Sequence, residues 1–180
     1  MKKITLAAII ATALFISILS TATSYAQPYG KGIYNAIVTY GNQTSLSIAT
    51  SGNITIPITP TDSGATGTAN STVTISSTDV MGYKLYIRAL NRTDMDNLGT
   101  HLPSRALGTG TLPVNTWGYN IASSTTNFDG ISLSDTLIKS IATPAPNDIT
   151  TFTYGLKVDM AKPAGRYTVD ILYTAVPQTD

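Results

Sequence analysis

The sequence contains no cysteine and no glutamate, and only one histidine and one tryptophan among its 180 residues. Without cysteine there is no disulfide framework, and no thiolate to bind a metal or attack a substrate. The fold must be held by packing alone. A single histidine rules out a zinc site built from several imidazoles. It also leaves one candidate, His101, for general-base catalysis. Ser104 lies nearby, with Asp94 and Asp96 upstream, so the residue types of a Ser-His-Asp triad are present. Proximity within a loop does not supply a triad's geometry, however, and the Gly-x-Ser-x-Gly elbow is missing. All ten acidic residues are Asp. They are scattered, and no pair stands out as the two carboxylates of a glycosidase. Gly108-Thr109-Gly110-Thr111 lacks the lysine of a phosphate-binding loop. The expectation is a non-enzyme with no cofactor.

Charge is also sparse, at 12% of residues. No basic stripe suited to a phosphate backbone occurs, which argues against nucleic acid as a partner.

What is present begins with an export signal. Met1-Lys2-Lys3 is basic, Ile4 to Leu19 is uncharged and apolar or small, and Ser24-Tyr25-Ala26 has the small residues that a signal peptidase reads. The expected cut falls between Ala26 and Gln27. The apolar run is short against the ~20 residues of a transmembrane helix, so no membrane anchor is expected after cleavage. Cleavage would leave 154 residues, with ten acidic and nine basic side chains. One domain of that size can bury a core without staples. The organisation expected is a signal peptide at 1–26, an N-terminal strand segment at 27–45 and a sandwich domain at 46–177.

Period-two alternation dominates the remainder, the mark of half-buried strands. It runs through Ile54, Ile56 and Ile58; Val73 and Ile75; Tyr83, Leu85, Ile87 and Ala89; and Trp117, Tyr119 and Ile121. It continues through Phe152, Tyr154, Leu156 and Val158, and through Tyr167, Val169, Ile171, Tyr173 and Ala175. Pro57 has no N–H for a ladder and places its strand at an edge or bulge. Lys162-Pro163-Ala164-Gly165 reads as a tight reversal, so the last two strands are expected to form an antiparallel hairpin. Leu133, Leu137, Ile138 and Ile141 have helical spacing, so residues 129–141 suit a short helix or a strand equally. The fold class expected is all-β: an antiparallel two-sheet sandwich, immunoglobulin-like or jelly-roll-like, with one short helix near 129–141 as an option.

The segment following the cleavage point is unusual. Tyr34, Ala36, Val38 and Tyr40 would line one face of a strand, and Ile33 and Ile37 the other. A strand apolar on both faces should not remain in water. Either it is the first strand of its own sandwich, or it completes a neighbour's open sheet by strand addition and builds filaments.

Weaker signals concern ligands. Asp94, Asp96 and Asn97 offer oxygen ligands for calcium within the 91–110 loop, although the spacing is not that of an EF-hand. Tyr86, between Lys84 and Arg88, is the best candidate for an exposed contact ring. Asn42, Asn53, Asn70 and Asn91 each begin an Asn-x-Ser/Thr acceptor pattern. Lys84, Lys139 and Lys157 are candidate amines for an intramolecular amide bond, but the sequence does not pair them with an acceptor.

Several segments resemble small secreted bacterial surface proteins of the WxL-domain and camelysin/TasA-like β-sandwich families. They are Gly82-Tyr83-Lys84-Leu85-Tyr86-Ile87, Val114-Asn115-Thr116-Trp117-Gly118-Tyr119, Thr153-Tyr154-Gly155-Leu156-Lys157-Val158 and Pro163-Ala164-Gly165-Arg166-Tyr167-Thr168-Val169, with Tyr173-Thr174-Ala175. The resemblance implies secretion to the cell surface and a role in attachment, adhesion or matrix fibres. Trp117 is followed by Gly118-Tyr119 rather than x-Leu, so the peptidoglycan attachment of WxL proteins is not carried over. The function expected is a secreted structural or adhesive protein, a candidate filament subunit. Its partners would be copies of itself or a surface polymer or protein. The alternative is a secreted sandwich module that binds glycans or a protein partner.

Overall fold

The computed structural model describes residues 45–78 and 80–178. The expected signal peptide, the expected cleavage site at Ala26 and Gln27, and the segment Ile33 to Tyr40 lie outside the described residues.

The first long strands are β1 (Ser45–Thr50), β2 (Ala65–Thr78) and β3 (Gly82–Ala89). Two short hairpin strands follow, β4 (Met95–Asn97) and β5 (Thr100–Leu102). Next come β6 (Gly110–Thr111), β7 (Thr116–Asn120) and β8 (Asn127–Phe128). The described chain ends with β9 (Thr136–Ile141), β10 (Ala145–Val158) and β11 (Ile171–Gln178). One sheet has the order β1-β2-β10-β7 and the other β11-β3-β9, with every pairing antiparallel. Two small ribbons, β4-β5 and β6-β8, accompany them.

The expected sandwich is therefore present, and its core follows from the alternation. Val73 and Ile75 of β2, Leu85 and Ile87 of β3, and Phe152 of β10 are fully enclosed. Each buried aliphatic or aromatic side chain contributes about 1.5–3 kcal/mol, so these threads of alternation account for where the sheets meet. Trp117 is enclosed as well, and its indole N–H donates to the Thr93 carbonyl at 3.0 Å. That bond satisfies a donor that would otherwise be costly to bury. The second face of β10 is also covered. Gly155 leaves room for the Phe128 ring, and a Cβ there would lie 2.3 Å from the ring's Cζ.

Two expectations change, and one open alternative is resolved. Residues 136–141 form a strand rather than a helix, because Leu137 and Lys139 pair with Tyr86 and Leu85 across a register shift. This turns Leu137 outward beside Tyr86 and Lys139 towards the other sheet. The last two strands do not form a hairpin. β10 pairs with β2 and β7, whereas β11 pairs with β3. The Lys162–Gly165 stretch is thus a crossing between sheets, which lets Tyr154 and Tyr173 face one another across the core. Finally, Ile54, Ile56 and Ile58 alternate in burial as expected, yet residues 51–60 form no strand.

Candidate functional site

The missing strand marks the site. Ser51 N–H donates to the Thr72 carbonyl at 2.9 Å, and among the described residues no backbone bond joins 52–60 to β2 beyond that point. Pro57 and Pro60 lack N–H groups altogether. The segment nevertheless keeps the direction of β1. The β1–β2 register pairs Thr50 with Val73, and six residues on, Ile56 still lies over Gly67. A Cβ on Gly67 would come within 2.8 Å of Ile56 Cγ2. Ala65, Gly67 and Ala69, the small residues on this face of β2, give the isoleucines room to tuck partly inward. Ile54, Ile56 and Ile58 are half-buried while Thr55, Pro57 and Thr59 are exposed.

Facing this wall is the chain leading into β11. There Tyr167 and Val169 are half-buried, and Arg166, Thr168 and Asp170 are exposed. Thr168 exchanges both backbone bonds with Asp96, at 2.9 and 3.0 Å, and Asp170 accepts from Leu90 at 2.9 Å. Successive residues of an extended chain direct their N–H and C=O groups to opposite sides. The backbone groups of Tyr167 and Val169 therefore point away from the Asp96 ribbon, and among the described residues nothing pairs with them.

Between the two walls lies a groove of about 1370 Å³. Its floor includes Trp117, Tyr154, Leu156 and Val158, with Met95 and Leu102 of the β4–β5 ribbon at one side. Both walls thus present apolar side chains at a spacing of two residues, and one offers unpaired backbone. The arrangement has the chemistry of a sandwich edge lacking a strand: it can accept an extended peptide with apolar residues at alternate positions.

The closed part of the sandwich is held by polar contacts between the sheets. Lys139 Nζ lies 2.6 Å from Asp148 Oδ1, and Tyr83 donates its hydroxyl to Asp148 Oδ2 at 2.5 Å. Burial alone would raise the Asp148 pKa, but the Lys139 and Tyr83 hydrogen bonds and the Lys139 charge outweigh it and hold the carboxyl below its ordinary range. Burial raises the Tyr83 phenol, as does its bond to Asp148. Tyr119 is pushed up to about 12, mainly by burial and then by Asp129. These groups are neutral phenols and one carboxylate near neutral pH. Tyr83 and Lys139, both held by Asp148, tie the two sheets together.

The catalytic and metal candidates do not converge. His101 Nδ1 lies 3.3 Å from Asp96 Oδ1. Ser104 Oγ instead donates to the Arg105 carbonyl and accepts from Ile131 N–H. Asp96 is further engaged by Arg92 at 3.2 Å and by Gly99 N–H, and Asp94 by the Thr93 hydroxyl. Among the described residues no group of three His, Cys, Asp or Glu side chains could hold a metal ion. Tyr86 is half-buried on the outer face of its sheet, in register with Leu137 and Thr174, and it does not line the groove. Of the three amines considered, Lys139 is the one that meets a carboxylate among the described residues, as an ion pair with Asp148. No described helix is long and apolar enough to cross a membrane.

No protein-family model and no curated protein matches the chain. Among solved structures the chain is similar to one described as "Chaperone-tip adhesin complex is vital for synergistic activation of CFA/I fimbriae biogenesis". Identity is 14% and the TM-score 0.48, over 74% of this chain and 42% of that one. The chain thus spans less than half the length of that protein. The likeness says nothing of what this chain binds.

The sequence pointed to Ile54–Ile58 and to Tyr167–Tyr173 as strands but did not bring them together as the walls of one groove. The signals that could have done so are Pro57 within an alternating run and the small residues Ala65, Gly67 and Ala69 opposite it. Asp148 gave no signal, because its partners Tyr83 and Lys139 meet it only through the packing of the two sheets.

Proposed function

We propose that this chain is an exported structural or adhesive protein of the cell surface, and that it works as a filament subunit assembling by β-strand addition. The observation that carries this reading is the apolar groove between residues 50–60 and 160–173. Its half-buried Ile54, Ile56, Ile58, Val169 and Ile171 leave apolar burial unrealised, on the order of 1 kcal/mol for each side chain. A strand laid between the walls would recover that burial and pair the free backbone of Tyr167 and Val169.

The segment Ile33, Tyr34, Ala36, Ile37, Val38 and Tyr40 has the matching character. Its apolar residues alternate on one face, and Ile33 and Ile37 supply a second apolar face to cover the groove's opening. The basic-apolar-small order of residues 1–26 supports export. The glycan-binding alternative finds less support: Tyr86 sits on a sheet face rather than in a cleft.

The test is electron microscopy of the mature protein beside a variant lacking residues 27–44. Regular fibres are expected from the first and none from the second, with β-rich circular dichroism retained. Fibres that persist after the deletion would refute strand addition by this segment.

A further inference from the structure

We infer that residues 52–60 are a movable strap with a second seat in the sheet beside β2, taken when a strand fills the groove. The inference rests on the strand-addition reading above and adds how occupancy of the groove is sensed.

The β1–β2 ladder breaks at a single residue. A hydrogen-bonded antiparallel pair exchanges two backbone bonds. Ser51 N–H donates to the Thr72 carbonyl, but Thr72 N–H donates to the Ser51 hydroxyl at 3.0 Å rather than to its carbonyl. Gly52 follows at a φ of 87°, with open space where a Cβ would stand. An extended strand does not pass through that conformation, which glycine holds without strain. Gly52 is the hinge.

Beyond the hinge β2 keeps an empty place. The backbone groups of Thr72 face β1, so by alternation those of Asn70 and Thr68 face the same way, and those of Ala69 and Ser71 face β10. Among the described residues nothing pairs with the Asn70 and Thr68 groups. Continued past the hinge, the β1–β2 register sets Asn53 opposite Asn70 and Thr55 opposite Thr68. The strap lies instead towards the groove. Its Ile56 Cγ2 and Pro57 carbonyl come within 2.8 and 3.6 Å of a Cβ built on Gly67, on the core side of β2.

The two seats offer unlike gains. In the present one, Ile54, Ile56 and Ile58 are drawn over a core that is otherwise open. In the ladder, Asn53 and Thr55 would each exchange two backbone bonds, and Pro57, with no N–H, would end the pairing. The isoleucines would still face the core, opposite Ala69, Gly67 and Ala65, but from the sheet's edge. With the groove empty, that move uncovers apolar surface. A strand in the groove covers the surface itself, and the backbone bonds then decide. Coupling of this kind is reciprocal: an occupant that favours the ladder seat is held more tightly by it.

Thr55 and Thr68 are both exposed, and residues directly opposed in an antiparallel pair lie within reach of a disulfide. Thr55→Cys with Thr68→Cys therefore reports the ladder seat in a chain with no cysteine of its own. The test uses mature full-length protein carrying Ile37→Asp and Val38→Asp, one on each face, so that its own segment leaves the groove empty. The added strand is a synthetic peptide of residues 31–42. The peptide should speed disulfide closure at least tenfold. By fluorescence anisotropy, the closed protein should bind it at least tenfold more tightly than the reduced one. Without the cysteines, amide exchange at Thr68 and Asn70 should slow when the peptide binds. Gly52→Val, which does not hold the hinge conformation, should speed closure with no peptide present.

Peptide that binds yet leaves closure and amide exchange unchanged would overturn the strap and leave the groove reading standing. No peptide binding, to reduced or closed protein, would overturn both.

Discussion

The hydroxyls of Tyr154 on β10 and Tyr173 on β11 are hydrogen-bonded to one another across the two sheets. The Tyr173 ring also lies 4.9 Å from that of Phe152. The pair closes the sandwich beside the groove. Burial raises the pKa of both phenols, and of Tyr83 and Tyr119 as well. A group whose folded pKa is raised supplies its full stability below the unfolded value and loses it as pH climbs through the folded one. For tyrosine the loss therefore begins near pH ~10. Urea midpoints should stay level from neutral pH to about 9 and fall steeply above ~10. Tyr173→Phe should cost about 1 kcal/mol at neutral pH.

At the acid end the tie between Lys139 and Asp148 should govern. The folded pKa of Asp148 is depressed, so its contribution is present above the unfolded value of ~3.9 and fades as pH falls through the folded one. Asp148→Asn is expected to cost about 1.5–3 kcal/mol at pH 7, the range for hydrogen bonds to a charged group. It should also flatten the acid limb of a plot of stability against pH. An acid limb unchanged by the substitution would show that the tie is not its source.

Gly155→Ala tests the packing of the second face of β10. The new methyl would meet the Phe128 ring, itself fully buried, at distances no real contact shows. A loss of about 1–3 kcal/mol is expected in chemical denaturation. Gly155→Ala combined with Phe128→Leu should recover part of it, since the two changes share one space.

Leu98 runs in the other direction. It occupies the turn between β4 and β5 at a φ of 50°, followed by Gly99 at 90°, with its side chain fully in solvent. A two-residue turn with both φ values positive favours Asn-Gly. Leu98→Asn removes left-handed strain without losing burial and should raise stability by about 1 kcal/mol in a denaturant titration.

Much of the fold was legible in the sequence because β2 and β3 each keep one face enclosed and the other at least partly open to solvent. Val73-Thr74-Ile75 and Tyr83-Lys84-Leu85 show their parity directly. Which strands pair is not a local property. The reversal at Lys162–Gly165 looks the same in sequence whether the chain returns along β10 or crosses to the other sheet. The choice fell to the burial of Tyr154 against Tyr173 and to the pairing of β11 with β3. The groove was hidden for a related reason: Ile54, Ile56 and Ile58 keep strand periodicity even though they have no ladder partner. The partly buried Lys139–Asp148–Tyr83 contact spans 65 residues of chain, and no spacing rule links its members.

The small side chains of Ala65, Gly67 and Ala69, set against the proline-bearing run beyond β1, make the folding equilibrium sensitive to what surrounds the molecule. A strand that enters the seam binds the folded form and has no equivalent site on the unfolded chain. Occupancy therefore adds RT ln(1 + [L]/Kd) to the unfolding free energy, about 2.7 kcal/mol at a hundredfold excess over Kd. Where that strand comes from another copy, as the strand-addition proposal has it, the melting temperature ceases to be a constant of the molecule. It should climb with protein concentration, so that dilution alone weakens the fold.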